Sequence, residues 1–236
     1  MSIADLRRDY GLGALSRNDL ERKPFAQFTK WFEQAEETRF SGSRLRRISV
    51  GFYKWLQLAF GKRPVDTNAM VLATTDKEGR PSARTVLLKG VDERGFIFYT
   101  NYESRKGHEL SENANAALVF YWPELERQIC IAGQVSKLPR EESEAYFISR
   151  PKAARIAAWA SKQSKVVDNR RELEEKWQWV AARYPDENVP LPPFWGGYVL
   201  SPVRMEFWQG RLNRLHDRFC YSKRPDGHWS LERLAP

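Results

Sequence analysis

Apolar residues recur at two different spacings along this chain. Between Pro24 and Phe40 they fall at Phe25, Phe28, Phe32 and Ala35, the three-to-four-residue spacing of a helix face, with Pro24 suited to the first turn. From Ala69 onward the pattern changes to short β-branched or aromatic runs broken by Gly, Asp and Pro. These predict strands over Ala69–Thr75, within Ser82–Val91, over Phe96–Thr100, Ala116–Trp122 and Arg127–Lys137. Asp76–Pro81 and Asp92–Gly95 read as turns. Helical spacing returns at Arg140–Arg150, Ala153–Ser161 and Asp168–Tyr184. Asn188–Phe194 reads as a proline-rich loop. Strand patterns near Val203–Gln209 and Arg218–Lys223 follow, and Pro225-Asp226-Gly227 turns the chain so that His228–Leu234 pairs back. Strands on both sides of a helical insert predict an α+β fold, an antiparallel sheet or barrel with a helical subdomain. A doubly wound sheet is disfavoured, because strands and helices do not alternate and no Gly-rich fingerprint follows a strand.

Composition narrows the setting. The 236 residues carry a formal charge of +9 and only two cysteines, Cys130 and Cys220. Two cysteines cannot build a disulfide framework, which points to a reducing, cytoplasmic compartment. The opening MSIADLRRDYGLG has no apolar core of signal-peptide length, and no uncharged run is long enough to span a bilayer. The charge is concentrated. Arg44, Arg46, Arg47, Lys54, Lys62 and Arg63 fall between Ser41 and Arg63 without any Asp or Glu. Interleaved with Phe52, Tyr53, Trp55, Leu56 and Phe60, they read either as an amphipathic helix packed on its own domain or as a surface for a partner or membrane. The expected organisation is an N-terminal arm and helix over 1–40, this basic insertion over 41–63, and a main body over 64–236 with a helical insert at about 140–184.

The chemistry-bearing residues are mostly cations. The three histidines and the acidic residues show no zinc-site spacing, and there is neither a nucleophile elbow nor a Walker loop. Arg84 and Lys89 flank Thr85-Val86-Leu87-Leu88. Their odd separation puts them on opposite faces of an unbroken strand, so convergence needs a bulge or a strand end. Tyr99-Thr100-Asn101 closes a strand, and Ser104-Arg105-Lys106 opens a helix. An Arg-Lys pair beside a helix N-terminus can grip phosphate, although such pairs also occur as solvated surface patches. Lys162-Gln163-Ser164-Lys165 is another polar cluster. In the tail, Arg214, His216 and Arg218 alternate, so an extended segment would place them on one face near Trp208. That face suits an anionic ligand, or an exposed edge strand with Asp217 and Glu206 nearby.

The chain resembles the pyridoxine/pyridoxamine 5′-phosphate oxidase family. The resemblance rests on Arg84-Thr85-Val86-Leu87-Leu88-Lys89, Phe98-Tyr99-Thr100-Asn101, Ser104-Arg105-Lys106, Leu125-Glu126-Arg127-Gln128, Tyr146-Phe147-Ile148-Ser149-Arg150-Pro151, Trp159-Ala160-Ser161-Lys162-Gln163-Ser164, Pro192-Pro193-Phe194-Trp195-Gly196-Gly197, Phe207-Trp208-Gln209-Gly210, Arg214-Leu215-His216-Asp217-Arg218-Phe219 and Arg233-Leu234-Ala235-Pro236. It implies a Greek-key-like, FMN-binding split β-barrel, a homodimer with two FMN sites at the subunit interface, and oxidation of phosphorylated B6 vitamers by dioxygen. It further implies that Arg84, Thr85, Val86, Leu87, Leu88, Lys89, Tyr99, Thr100, Arg105, Lys106, Gln128, Gln163, Ser164, Trp208 and Arg218 bind the cofactor. Lys89, Tyr146 and Arg150 would bind the substrate phosphate. Arg214, Leu215 and His216 would meet the substrate ring, with Arg214 and His216 catalytic, and Arg7 and Tyr10 would close over it. Ala154 stands where the family often has Ser. The resemblance gives the basic insertion no role and no partner. A different reading is a non-catalytic flavin split-barrel protein that binds nucleic acid or anionic membrane through the insertion. The retained Tyr146, Arg150, Arg214 and His216 favour the enzyme, for which no nucleic-acid partner is expected.

Overall fold

The computed structural model describes residues 3–5, 9–41 and 66–236. Arg7 and residues 42–65, and with them nearly all of the expected basic insertion, lie outside the described residues. After short 3-10 turns at Ile3–Asp5 and Arg17–Asp19 the elements are α1 (Pro24–Ser41), β1 (Ala69–Thr75), β2 (Pro81–Leu87), β3 (Gly90–Asp92), β4 (Gly95–Asn101), α2 (Arg105–Glu112), β5 (Asn115–Trp122), β6 (Arg127–Lys137), α3 (Arg140–Ser149), α4 (Lys152–Ala160), α5 (Arg170–Arg183), β7 (Trp195–Gln209), a 3-10 turn at Leu212–Arg214, β8 (Asp217–Lys223) and β9 (Trp229–Leu234). The hydrogen-bonded strand order is β2-β1-β5-β6-β7-β4-β3, with β8 on β7 and β9 on β8. This is the α+β class expected from the sequence.

Two compact units divide the chain. One comprises the described parts of 1–70 with 119–131 and 204–236; the other comprises 71–118 and 132–203. In the first unit an aromatic core gathers Phe28, Trp31 and Phe32 of α1 with Phe120, Trp122, Phe207 and Tyr221. Trp31 meets Phe207 edge-on at 5.2 Å, and Phe28 meets Phe120 at 5.2 Å. Arg127 lies 4.4 Å over the Trp31 ring. β7 and β8 pair from Arg204↔Ser222 to Gln209↔Asp217.

In the second unit β4 is buried along nearly its whole length, and it pairs with β7 from Phe96↔Leu200 to Asn101↔Trp195. Phe147, Ile156, Ala160, Val180, Val189, Leu191 and Trp195 form one core cluster there. Two glycines let this unit close up. A Cβ at Gly107 would lie 2.1 Å from the Tyr102 carbonyl oxygen, and one at Gly197 would lie 2.6 Å from Leu138 and 2.8 Å from Tyr99.

Two expectations change. Strand β7 begins at Trp195, not near Val203. The Gly196-Gly197 pair looks strand-breaking, but Tyr102 and Tyr99 fill the space where Cβ atoms would sit. The tail carrying Arg214 and His216 is not extended. Asn213 and Arg214 have φ of 55° and 60°, so the chain turns there and the alternating face from Arg214 to Arg218 does not form.

Candidate active site

Within the second unit lies a cavity of about 930 Å³. Among the described residues its wall carries the cations Arg84, Lys89, Arg105, Lys106 and Arg150 and no Asp or Glu. Such a site favours an anion, and phosphate above all, through guanidinium forks and ammonium point charges.

Local sequence explains how these groups converge. β2 is an edge strand that ends at Leu87. The strand end lets Lys89 reach the same cavity as Arg84 despite their odd separation. Lys89 is held by its backbone N–H, which donates to the Ile97 carbonyl at 2.8 Å. Thr85, Val86 and Leu87 line the wall, whereas Leu88 is buried and does not. At the end of β4, Ser104 caps α2. Its hydroxyl donates to the Asn101 carbonyl at 2.6 Å and accepts from Gly107 N–H. The first helical turn thus presents Arg105 and Lys106 to the cavity.

Lys106 is 8% exposed. Its ammonium donates to Thr100 Oγ1, Ser104 Oγ and Gln163 Oε1 at 3.1, 3.2 and 2.7 Å. Burial and then the Arg84 charge push it down to about 8. Gln163 also accepts from Thr100 at 3.2 Å, and Ser164, with φ of 70°, adjoins it in the wall.

Behind the wall sits Glu109, 4% exposed. Oε2 accepts from Thr74 Oγ1 (2.5 Å), Ser82 Oγ (2.6 Å) and Arg84 Nη2 (3.1 Å). Oε1 accepts from Arg105 Nε at 2.8 Å. Burial opposes the charge, yet bonds from Ser82, Thr74, Arg105 and Arg84 outweigh it and hold the carboxyl at about 2. Arg84 spends both terminal nitrogens here. Nη1 donates to the Leu72 carbonyl and to Thr74, and Nη2 to Ser82 and Glu109.

At the other side of the cavity α3 stops because Arg150 precedes Pro151, which disfavours helical backbone at that residue. Arg150 lies 4.7 Å over the Trp195 ring, and its buried Nη1 has no hydrogen-bond partner. Desolvation lowers its pKa. Tyr146 stacks on Tyr99 at 3.9 Å between ring centroids. Ala154 faces the cavity and supplies no hydroxyl.

The remaining expected residues belong to the first unit. Tyr10 meets Trp208 at 5.5 Å and His216 at 5.6 Å, both edge-on, and Trp208 lies 4.7 Å from His216. His216 Nδ1 accepts from the Arg211 N–H at 3.1 Å, and burial followed by the Arg214 charge lowers its pKa. Arg214 is exposed and Leu215 is 69% exposed. Arg218 donates to Glu206 Oε1 at 2.8 Å and to the Ala235 carbonyl. Gln128 donates to Cys130 Sγ. Sequence reasoning missed Glu109, Ser82 and Trp195 as participants. Spacing marks only the i,i+4 pair of Glu109 with Arg105 on α2; its other partners, Thr74, Ser82 and Arg84, lie on β1 and β2.

An antiparallel sheet with a helical insert and a cation-lined cavity defines an α+β protein whose cavity suits an anionic small molecule. Residues 62–184 match the family model described as pyridoxamine 5′-phosphate oxidase, and residues 195–236 match the pyridoxine 5′-phosphate oxidase C-terminal dimerisation region. The pyridoxine/pyridoxamine 5′-phosphate oxidase of Paraburkholderia phymatum is 49% identical over 100% of this chain and 99% of its own. Among solved structures, PhzG from Burkholderia lata in complex with tetrahydrophenazine-1-carboxylic acid is 29% identical, with a TM-score of 0.77 over 96% of this chain and 100% of that one. A pyridoxamine 5′-phosphate oxidase-related, FMN-binding protein from Nostoc punctiforme shares the fold, with a TM-score of 0.59 at 22% identity over 72% of this chain and 88% of that one. The chain belongs to the pyridoxamine 5′-phosphate oxidase family, and its fold is the split barrel of that family.

Proposed function

We propose that this chain is a cytoplasmic homodimeric oxidase that converts pyridoxine 5′-phosphate or pyridoxamine 5′-phosphate to pyridoxal 5′-phosphate, with FMN as cofactor, dioxygen as electron acceptor and hydrogen peroxide as product. Beyond family membership, the cavity carries the reading: among the described residues, five cations and no carboxylate line it. Its residues fit an anionic flavin. Lys106 is buried among neutral acceptors, and Arg150 keeps a buried N–H unsatisfied. Both features suit an incoming phosphate, since desolvation penalises each cation.

Arg105, Lys106, Thr100, Gln163 and Ser164 would hold the flavin phosphate and ribityl side, with Arg84, Thr85, Val86, Leu87 and Tyr99 beside the flavin. Lys89, Tyr146 and Arg150 would take the substrate phosphate. Bound there, FMN supplies a two-electron acceptor for hydride from the substrate carbon that bears the alcohol or amine, and dioxygen regenerates it. The protein's part is to orient that carbon and stabilise charge. Arg214 and His216 would orient the substrate ring, with Tyr10 packed on His216. Gln128, Trp208 and Arg218 complete the proposed cofactor set. The match of residues 195–236 to the dimerisation region supports the homodimer. No observation favours the non-catalytic reading of the basic insertion.

The test is peroxide release by purified protein with pyridoxine, pyridoxamine and their 5′-phosphates. The reading expects turnover with the phosphorylated forms and flavin absorption in the protein. A colourless protein, or turnover indifferent to the phosphate, would overturn it.

A further inference from the structure

We propose that Glu109 is a positioning residue for the cofactor phosphate: one buried carboxylate holds the Arg84 and Arg105 side chains in the arrangement the anion meets. The proposal rests on the reading that this cavity takes a flavin phosphate. A carboxylate near a phosphate site is at first sight unfavourable, because like charges repel. The geometry gives a reason for its presence. Glu109 projects from the last turn of α2 and does not line the cavity. Its two oxygens divide the work between the arginines.

Arg105 commits only Nε to Glu109, and among the described residues its guanidinium forms no other hydrogen bond. Its two terminal nitrogens therefore stay free on a side chain that is 65% exposed. Without the anchor, a long exposed arginine would sample many rotamers, and ordering it on binding would lower affinity. Arg84 is held in the opposite sense. Its terminal nitrogens all point to Glu109, β1 and β2, leaving its charge beside the cavity. Thr74 and Ser82 donate to the same carboxylate oxygen and fix it from the strand side. Glu109 thus links α2 to the β1–β2 hairpin and presents one fork while locking the other.

Charge and geometry predict opposite signs, which makes the idea testable. Glu109→Ala and Glu109→Gln both remove the negative charge, but Gln keeps one side-chain oxygen, which can accept from the donors of one carboxylate oxygen while its amide nitrogen faces the others. FMN and riboflavin, which lacks the phosphate, are titrated into the full-length chain freed of flavin, and the ratio of the two affinities is read by flavin fluorescence. The proposal expects Glu109→Ala to lower the FMN-to-riboflavin ratio by about tenfold, the scale of one charge-assisted contact, and Glu109→Gln, whose one oxygen can hold only one of the two arginines, to restore part of it. An equal rise in FMN affinity in both variants would mean that Glu109 acts only as a repelling charge and would overturn the proposal. An unchanged ratio with a lowered melting temperature would mean a purely structural staple and would overturn it too. Equal affinities for the two flavins in the unmodified chain would overturn the phosphate reading itself, and Glu109's role with it. Arg105→Lys tests the same link where folding is not at stake: it keeps the charge but cannot engage Glu109 and present a fork together. It is expected to cost about tenfold in the ratio, and full retention would overturn the proposal.

Discussion

Lys106 Nζ lies 2.7 Å from Gln163 Oε1, tying the first turn of α2 to the loop that follows α4. The bond joins a buried cation to a neutral acceptor, and the Glu109 charge offsets only part of the cost of burial. An anion arriving in the cavity would add a counter-charge.

A pH dependence follows from the burial of Lys106 and the nearby Arg84 charge. Lys106 is held down to about 8 from its ordinary 10.5. In the flavin-free chain the group loses its proton as pH rises through about 8, and phosphate affinity falls with it. FMN affinity is expected to weaken by about tenfold per pH unit above 8, and Lys106→Met to flatten that slope. For folding the sign is reversed. Between about 8 and 10.5 the unfolded chain keeps a proton that the folded chain has released, so stability gains from this group as pH climbs. Titration calorimetry and thermal melts across that range check both halves. An FMN affinity that is flat with pH in the unmodified chain would remove Lys106 from the phosphate contact.

Arg105→Ala separates binding from folding. The side chain is 65% exposed, so its loss opens no cavity, and Glu109 keeps its bonds from Thr74, Ser82 and Arg84. Losing a charge-assisted phosphate contact costs about 1.5–3 kcal/mol, or roughly tenfold to a hundredfold in FMN affinity. Flavin titration of the folded variant measures this.

Arg150 divides the two proposed phosphate positions. Its guanidinium lies over Trp195 with one buried N–H unpaired. Arg150→Lys keeps the charge but loses the planar stack and the fork. The expected outcome is a KM for pyridoxine 5′-phosphate raised about tenfold or more with FMN still bound. Loss of flavin with a normal KM would assign Arg150 to the cofactor.

Much of this arrangement was legible in the sequence, because it is local. β1 and β6 run where alternation and turn residues place them, and Ser104 announces the start of α2. Pro151 similarly announces the end of α3. The odd spacing of Arg84 and Lys89 required a strand end, and β2 supplies one at Leu87. What escaped was set by distant contacts. Gly196-Gly197 hides the first half of β7, since the rings that occupy the glycines' empty side come from Tyr99 and Tyr102. The left-handed Asn213 and Arg214 turn a segment whose alternation reads as extended. Glu109 gains its meaning only when α2 meets β1 and β2, which no spacing along α2 reveals.

Gly197→Ala tests the close approach in β7. The added methyl would sit 2.6 Å from Leu138 Cδ1 and 2.8 Å from Tyr99 Cε1, beside the Tyr99–Tyr146 stack. Overpacking of this kind costs about 1–3 kcal/mol. A lower melting temperature is expected in thermal denaturation, together with weaker flavin retention. A variant as stable as the parent would show that Tyr99 yields freely.

His216 offers the last test. Burial and then the Arg214 charge lower its pKa below the ordinary 6.5. Its Nδ1 accepts from the Arg211 N–H, so in the neutral ring the proton sits on Nε2. Protonating Nδ1 would break that bond and bring a cation beside Arg214. Below pH 6.5 the unfolded chain therefore takes up protons more readily than the folded one, and stability falls as pH drops toward the folded pKa. We assign the proposed substrate-orienting role of His216 to this neutral ring. Activity is expected to fall on the acid side with an apparent pKa below 6.5, and His216→Asn to remove that limb. Arg214→Met is expected to raise the His216 pKa toward its ordinary value, because it deletes the nearer positive charge. Proton NMR titration of the histidine ring reads the shift without relying on turnover. A His216 pKa unmoved by Arg214→Met would show that burial alone sets it, and an acid limb that persists in His216→Asn would assign that limb to another group.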